Sequence, residues 1–194
     1  MIDRAQVWIE PYWNAEHLRR AMDWLLVLDS DASQALRLAA VTHDMERHFP
    51  GGPEQDLSIP PAENLEYRRE HSERSARIVG AWIRDEGADD ATIAEVERLI
   101  RLHESGGDPD ANLLQAADSL SFLEVNIDIP YVWARRGECD LDRARAQHTW
   151  MFERIQVPAA RDLALPLYEE AIRATSAADT ANVELQIQRS ERPH

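Results

Sequence analysis

Leu36, Ala39, Ala40 and His43 recur at i, i+3, i+4 and i+7, so the stretch 36–47 (LRLAAVTHDMER) begins as a helical apolar stripe that runs straight into His43-Asp44. The same period recurs along the chain. His17, Arg20, Ala21, Trp24 and Leu28 share one side of a helix predicted over Ala15–Leu28, with Asn14 as its N-cap. Asp31 or Ser33 caps the helix that carries His43-Asp44. A long helix is expected from about Ala62 to Glu86, ended by Gly87, with His71, Ser75, Ile78, Val79 and Trp82 as its inner stripe. Asp89 or Asp90 opens the next, whose inner positions are Ile93, Val96, Leu99, Ile100 and His103 and which stops at Gly106-Gly107. Asp108-Pro109 starts another, with Leu113, Leu114, Ala117, Asp118 and Phe122 on one side.

Beyond Pro130 a short helix over Tyr131–Arg136 and two amphipathic helices over Asp140–Ile155 and Ala159–Thr175 complete the pattern. No stretch alternates with the period of a strand, so the fold class is all-α. Met1–Trp13 is aromatic-rich and is read without a helix of its own. The run FPGGPEQDLSIPP, residues 49–61, carries four prolines and two glycines and breaks helix decisively. A loop of that length in a compact domain is more often functional than filler, and it leaves the His43-Asp44 helix where it could cover a site. Residues 1–175 read as one domain, and residues 176–194 as a polar tail, frayed or disordered.

Composition narrows the function classes. A formal charge of −15 argues against nucleic acid or an anionic membrane as partner, because both require clustered positive charge. No apolar run reaches the length of a membrane span, and the first ten residues do not read as a signal peptide, so a cytoplasmic protein is expected. The single Cys139 excludes an intramolecular disulfide and a multi-thiolate zinc site. All 21 basic residues are arginine, which removes Schiff-base and P-loop chemistry and leaves arginine forks and metal ions as phosphate binders.

Six residues then share one physical oddity. His17, His43, Asp44, His71, His103 and Asp118 each put a metal-competent group on the inward face of a helix, where an unpaired imidazole or carboxylate is costly to desolvate. Taken singly, each is an ordinary core histidine or a solvated carboxylate. Together they come from five helices that one bundle could converge on a single site, and a thiolate-free nitrogen and oxygen set suits Fe, Mn, Co, Ni or Zn.

The ordered pattern His17 … His43-Asp44 … His71 … His103 … Asp118 resembles the HD-domain superfamily of metal-dependent phosphohydrolases, over about residues 15–124. The segments LAAVTHD and LLQAADSL are similar to that superfamily's ligand-bearing helices, and His71 and His103 look like the extra pair of its two-metal members. The stretch 39–123 is also similar to a branch of uncharacterised bacterial proteins there. The resemblance implies an HD-like bundle with added C-terminal helices and two divalent ions. His17, His43, Asp44 and Asp118 would hold one ion; Asp44 would bridge to the second on His71 and His103.

Arg20, Arg47 and Arg74 each follow a ligand by three residues, one turn on along nearly the same face, and could cradle an anion. Alternatively they pair with nearby carboxylates such as Asp23, Glu46 and Glu70. His48 and Glu104 are further candidates near the centre, His48 as a proton donor. The expected function is hydrolysis of a small phosphorylated metabolite, a nucleotide or phosphomonoester, with His43 and Asp44 at the catalytic centre and a metal-activated hydroxide as nucleophile. Two alternatives remain: a mixed-valent di-iron oxygenase of the same superfamily, and a non-catalytic metal-binding regulatory module. The oxygenases tend to carry a lysine soon after the fourth histidine, and this chain has none.

Overall fold

Each predicted helix is present in the structure, a computed structural model that describes residues 1–190 and the side chains of residues 1–174. In chain order the helices are α1 (Ile2–Trp8), α2 (Ala15–Leu28), α3 (Gln34–Thr42), α4 (Leu65–Asp85), α5 (Asp90–Leu102), α6 (Pro109–Val125), α7 (Ile129–Arg136), α8 (Leu141–Glu153) and α9 (Pro158–Ser190), with a 3-10 turn at Met45–His48. Among the described residues there is no strand, and the fold is all-α. No helix there is long and apolar enough to cross a membrane. The backbone of α9 takes in the first part of the expected tail; residues 191–194 lie outside the described residues.

Helix starts follow side-chain chemistry. Ser33, Asp89, Asp108 and Asp140 each accept a hydrogen bond from a first-turn amide, at Leu36, Thr92, Ala111 and Arg143. Each such cap is worth about 1 kcal/mol. Asn14 holds the N-cap position of α2, but its side chain makes no capping bond. Three boundaries differ from the sequence reading. The entry segment forms α1, a seven-residue helix with one buried residue, Ala5, too short to show a period. The long helix α4 begins at Leu65 instead of Ala62, because Arg68 draws the carbonyls of Pro61 and Ala62 onto its guanidinium. Most consequentially, α3 stops at Thr42, so His43 is its C-cap and Asp44 leads into the 3-10 turn.

The core is organised around α6. It is apolar nearly all round and buries ten residues from Ala111 to Leu123, as a helix enclosed on several sides must. One face joins α1–α5 in a cluster that includes Leu18, Leu36, Leu38, Leu99 and Leu114. Another face meets α8 and α9 through Leu120, Leu123, Met151 and Ala164. Each fully buried Leu contributes about 1.5–3 kcal/mol of transfer free energy. Asp118 lies on α6 with the first cluster on one side and the C-terminal helices on the other, so both halves of the fold fix its position.

Candidate metal centre

All six inward residues meet at one place, and none is more than 8% exposed. One ligand atom from each of His17, His43 and Asp44 lies within 4.8 Å of the others. The same holds for His43, His103 and Asp118, and for Asp44, His71 and His103. His43, Asp44 and His103 each belong to two of these groups, and of the three only Asp44 has two ligand oxygens to offer.

Two of the histidines arrive in the same way. His43 caps the C-terminus of α3 and His103 that of α5. The His43 Nδ1 donates to the Ala40 carbonyl at 3.0 Å, and the His103 Nδ1 donates to the Ile100 carbonyl at 2.6 Å. Each imidazole thereby satisfies a carbonyl left over at a helix end. It also brings the negative end of a helix dipole to the centre, which favours a cation there. His71, on α4, donates from Nδ1 to Glu46 Oε1 at 2.8 Å. His17, on α2, lies with Nδ1 2.8 Å from Ser121 Oγ, whose hydroxyl donates in turn to the His17 carbonyl at 2.7 Å.

These four partners decide the tautomers. Carbonyl and carboxylate oxygens only accept, and the Ser121 proton is already committed to the His17 carbonyl, so every Nδ1 carries its hydrogen. In the neutral imidazole every Nε2 is then a lone pair, and all four point into the same space. The Nε2 atoms of His43, His71 and His103 are buried, and no well-aligned hydrogen bond satisfies them. Asp44 Oδ1 is 2.9 Å from His71 Nε2, and Asp118 Oδ1 is 3.1 Å from His17 Nε2 and 3.4 Å from His43 Nε2. Four buried lone pairs and two carboxylates fit a cation, and these groups could hold a metal ion.

The electrostatics agree. Burial opposes a charge on His43, but Asp118 and Asp44 raise its pKa to about 9. His103 is pushed down by burial to about 4. Burial works against the charge on Asp44, yet Arg47, His71 and His43 hold its carboxyl well below the usual range. Asp118 is likewise held low against burial, chiefly by Arg154. The carboxylates of Asp118 and Asp44 thus favour positive charge at His43.

His17, Asp44 and Asp118 open onto a cavity of about 380 Å³, with His43, His71 and His103 buried behind them. The proline-rich segment contributes Pro53, Gln55, Leu57 and Pro61 to its wall, so the 49–61 loop does cover the site. Of the three arginines picked by spacing, only Arg47 lines the cavity, with its Nε 3.2 Å from Asp44 Oδ2. Arg20 is spent on Glu124 and Asp23, at 2.8 Å each, on the α2–α6 surface. Arg74 is bound to Glu46 at 2.6 Å and to the carbonyls of Phe49 and Pro50. Both are structural where an anion cradle was expected. His48 is exposed, against Tyr12 and Phe49, and is not among the cavity-lining residues.

Glu104 does line the cavity, paired with a residue that spacing did not reveal. Arg154, at the end of α8 and 5% exposed in its side chain, bonds Asp118 Oδ2, Glu104 Oε2 at 2.6 Å and Ser119 Oγ at 2.8 Å. Its guanidinium also sits 4.5 Å from the Trp150 ring centroid. Arg154 therefore holds the outer oxygen of Asp118 and leaves the inner one facing the imidazoles.

A protein-family model with the description "Domain of unknown function (DUF4202)" matches residues 7–131 of the 194. The chain belongs to this family. Neither the curated proteins nor the solved structures give a match. The DUF4202 segment contains all six inward residues together with Glu46, Arg47 and Arg68, whereas Trp150 and Arg154 come from beyond its end. In this chain, then, the helices after the DUF4202 segment complete the cavity.

Proposed function

We propose that the protein is a metal-dependent phosphohydrolase acting on a small phosphorylated metabolite, with two divalent transition ions held by His17, His43, Asp44, His71, His103 and Asp118. The observation that carries this reading is the convergence of four imidazoles and two carboxylates beside a cavity onto which His17, Asp44 and Asp118 open and whose wall presents Arg47. The order of these residues, with its resemblance to the HD-domain superfamily, supports it. When bound, such ions supply Lewis acidity and an activated water. The chain's residues do the rest. Arg47 donates to a phosphoryl oxygen from beside Asp44. Glu46, Ser121 and the carbonyls of Ala40 and Ile100 fix the imidazole rings. Arg154 orients Asp118, and the loop 49–61 with the aromatic wall excludes bulk water. A nucleotide or another phosphomonoester suits the chemistry equally.

The test is elemental analysis of protein purified without chelator, together with turnover on a phosphomonoester panel, anaerobically and in air. About two ions per chain and oxygen-independent phosphate release are the expected results. An oxygen requirement would convert the assignment to a di-iron oxygenase. Metal content near zero after reconstitution would overturn both.

A further inference from the structure

Arg68 stands in the cavity wall without a carboxylate partner. Its Nη1 and Nη2 donate to the carbonyls of Pro61 and Ala62, and its guanidinium lies 4.8 Å from the Trp150 ring centroid. A guanidinium has five N–H donors, and those two carbonyls engage only two of them. Among the described residues no Asp or Glu forms an ion pair with it, whereas Arg47 is paired with Asp44 and Arg154 with Asp118 and Glu104. Trp150 carries both Arg68 and Arg154 on its ring system. Burial lowers the pKa of Arg68; Glu104 opposes this, and the charge of Arg154 adds a smaller lowering effect. Half-buried and without an ion pair, this guanidinium keeps its charge available to an anion in the cavity.

The cavity has room for that group. About 380 Å³ is in the range of small-molecule sites and far more than one phosphoryl group fills. We propose that Arg68 forms a second anion-binding subsite, and that the substrate carries a carboxylate or second phosphate that seats against Arg68 on the Trp150 side, apart from the phosphoryl group at the metal centre. This rests on the phosphohydrolase reading and narrows it to bis-anionic metabolites. It also assigns a purpose to Trp150, which comes from outside the DUF4202 segment: it holds the Arg68 plane toward the cavity.

The experiment is calorimetric titration of the metal-loaded full chain with methylphosphonate, with phosphonocarboxylates, and with diphosphonates of increasing chain length. The two bis-anionic series distinguish a carboxylate from a second phosphate. At least one chain length should bind wild type about tenfold tighter than methylphosphonate, the size expected of one charge-assisted contact. Arg68→Gln should lose that gain while binding methylphosphonate as before, and Arg68→Lys should keep part of it. Equal affinities across both series in wild type, or a gain that survives in Arg68→Gln, would overturn the subsite. So would a uniform loss for all probes, which is what a mere staple for the loop predicts. If Arg68→Gln does not fold, the wild-type series and Arg68→Lys still decide. Failure of methylphosphonate itself to bind wild type would overturn the phosphoryl reading, and the subsite with it.

Discussion

His71 Nδ1 donates to Glu46 Oε1 at 2.8 Å, and Glu46 is itself 2% exposed and held by Arg74. A buried carboxylate behind an imidazole fixes the ring and makes its far nitrogen a better donor. Loss of such a partner typically costs 10–100-fold in metal affinity. Glu46→Gln keeps the shape and an acceptor but loses the charge, so it should weaken one of the two ions by about tenfold and leave the other in place. Competitive chelator titration of the variant checks this. Two ions released together at wild-type affinity would show that Glu46 only anchors Arg74.

Arg154 is the link between the C-terminal helices and the ligands. Removing it leaves Asp118 and Glu104 buried with no counter-charge on that side. Breaking one side of a buried ion pair costs about 3–5 kcal/mol. Arg154→Met should therefore lower the urea midpoint steeply and weaken metal binding through Asp118. Arg154→Lys should recover only part of both, since an ammonium cannot bridge two carboxylates and Ser119 in one plane. Full recovery by lysine would mean that only the charge matters.

The fold was legible because the helices after α1 carry apolar positions at helical spacing and four of them have a capping side chain at the right place. The convergence of the six inward residues was legible for a related reason: a polar group on an inward face has to be explained, and spacing along a helix exposes it. What spacing could not show is what a side chain meets across the fold. Arg20, Arg47 and Arg74 have the same offset from a ligand, yet Glu124, from an element a hundred residues away, claims the first and Glu46 the third. Arg68 and Arg154 are invisible for the converse reason. Their roles arise only when α8 brings Trp150 against α4 and Arg154 against α6, and no local period encodes those contacts. The break at His43 was missed because the apolar stripe of α3 reads on without a Gly or Pro to stop it.

His148 provides a check on the C-terminal packing that does not involve the metal centre. It is fully buried on α8, between the Phe122 and Tyr131 rings, with Nε2 donating to the Ile127 carbonyl at 3.0 Å. Burial pushes its pKa below the ordinary 6.5, and no charged partner opposes this. The unfolded chain therefore takes up a proton first as pH falls. Its stabilising effect is fully present above the unfolded value of 6.5 and is lost progressively below it, until the lower folded pKa is passed. Relative to His148→Gln, wild type should lose additional stability between about pH 7 and pH 5 in urea unfolding. Parallel pH profiles for the two proteins would contradict the buried neutral imidazole.

The sharpest separation of chemistry from scaffold lies in comparing Asp44 with His71. Asp44 shares one ligand group with His17 and His43 and another with His71 and His103, and its two oxygens can each face one ion. His71 belongs to the second group alone. Asp44→Ala should accordingly lose both ions and all turnover. It should also destabilise the fold, because Arg47 loses its carboxylate and the buried imidazoles lose the field that favours a cation among them. His71→Ala should keep one ion on His17, His43 and Asp118 with Asp44 still attached. A hydrolase then retains weak turnover, since one ion can still activate water, whereas a di-iron oxygenase loses everything because its chemistry needs the redox partner. Metal content and phosphate release of the two variants, anaerobically and in air, decide between these outcomes. Full metal loading of Asp44→Ala would falsify the shared-ligand site itself.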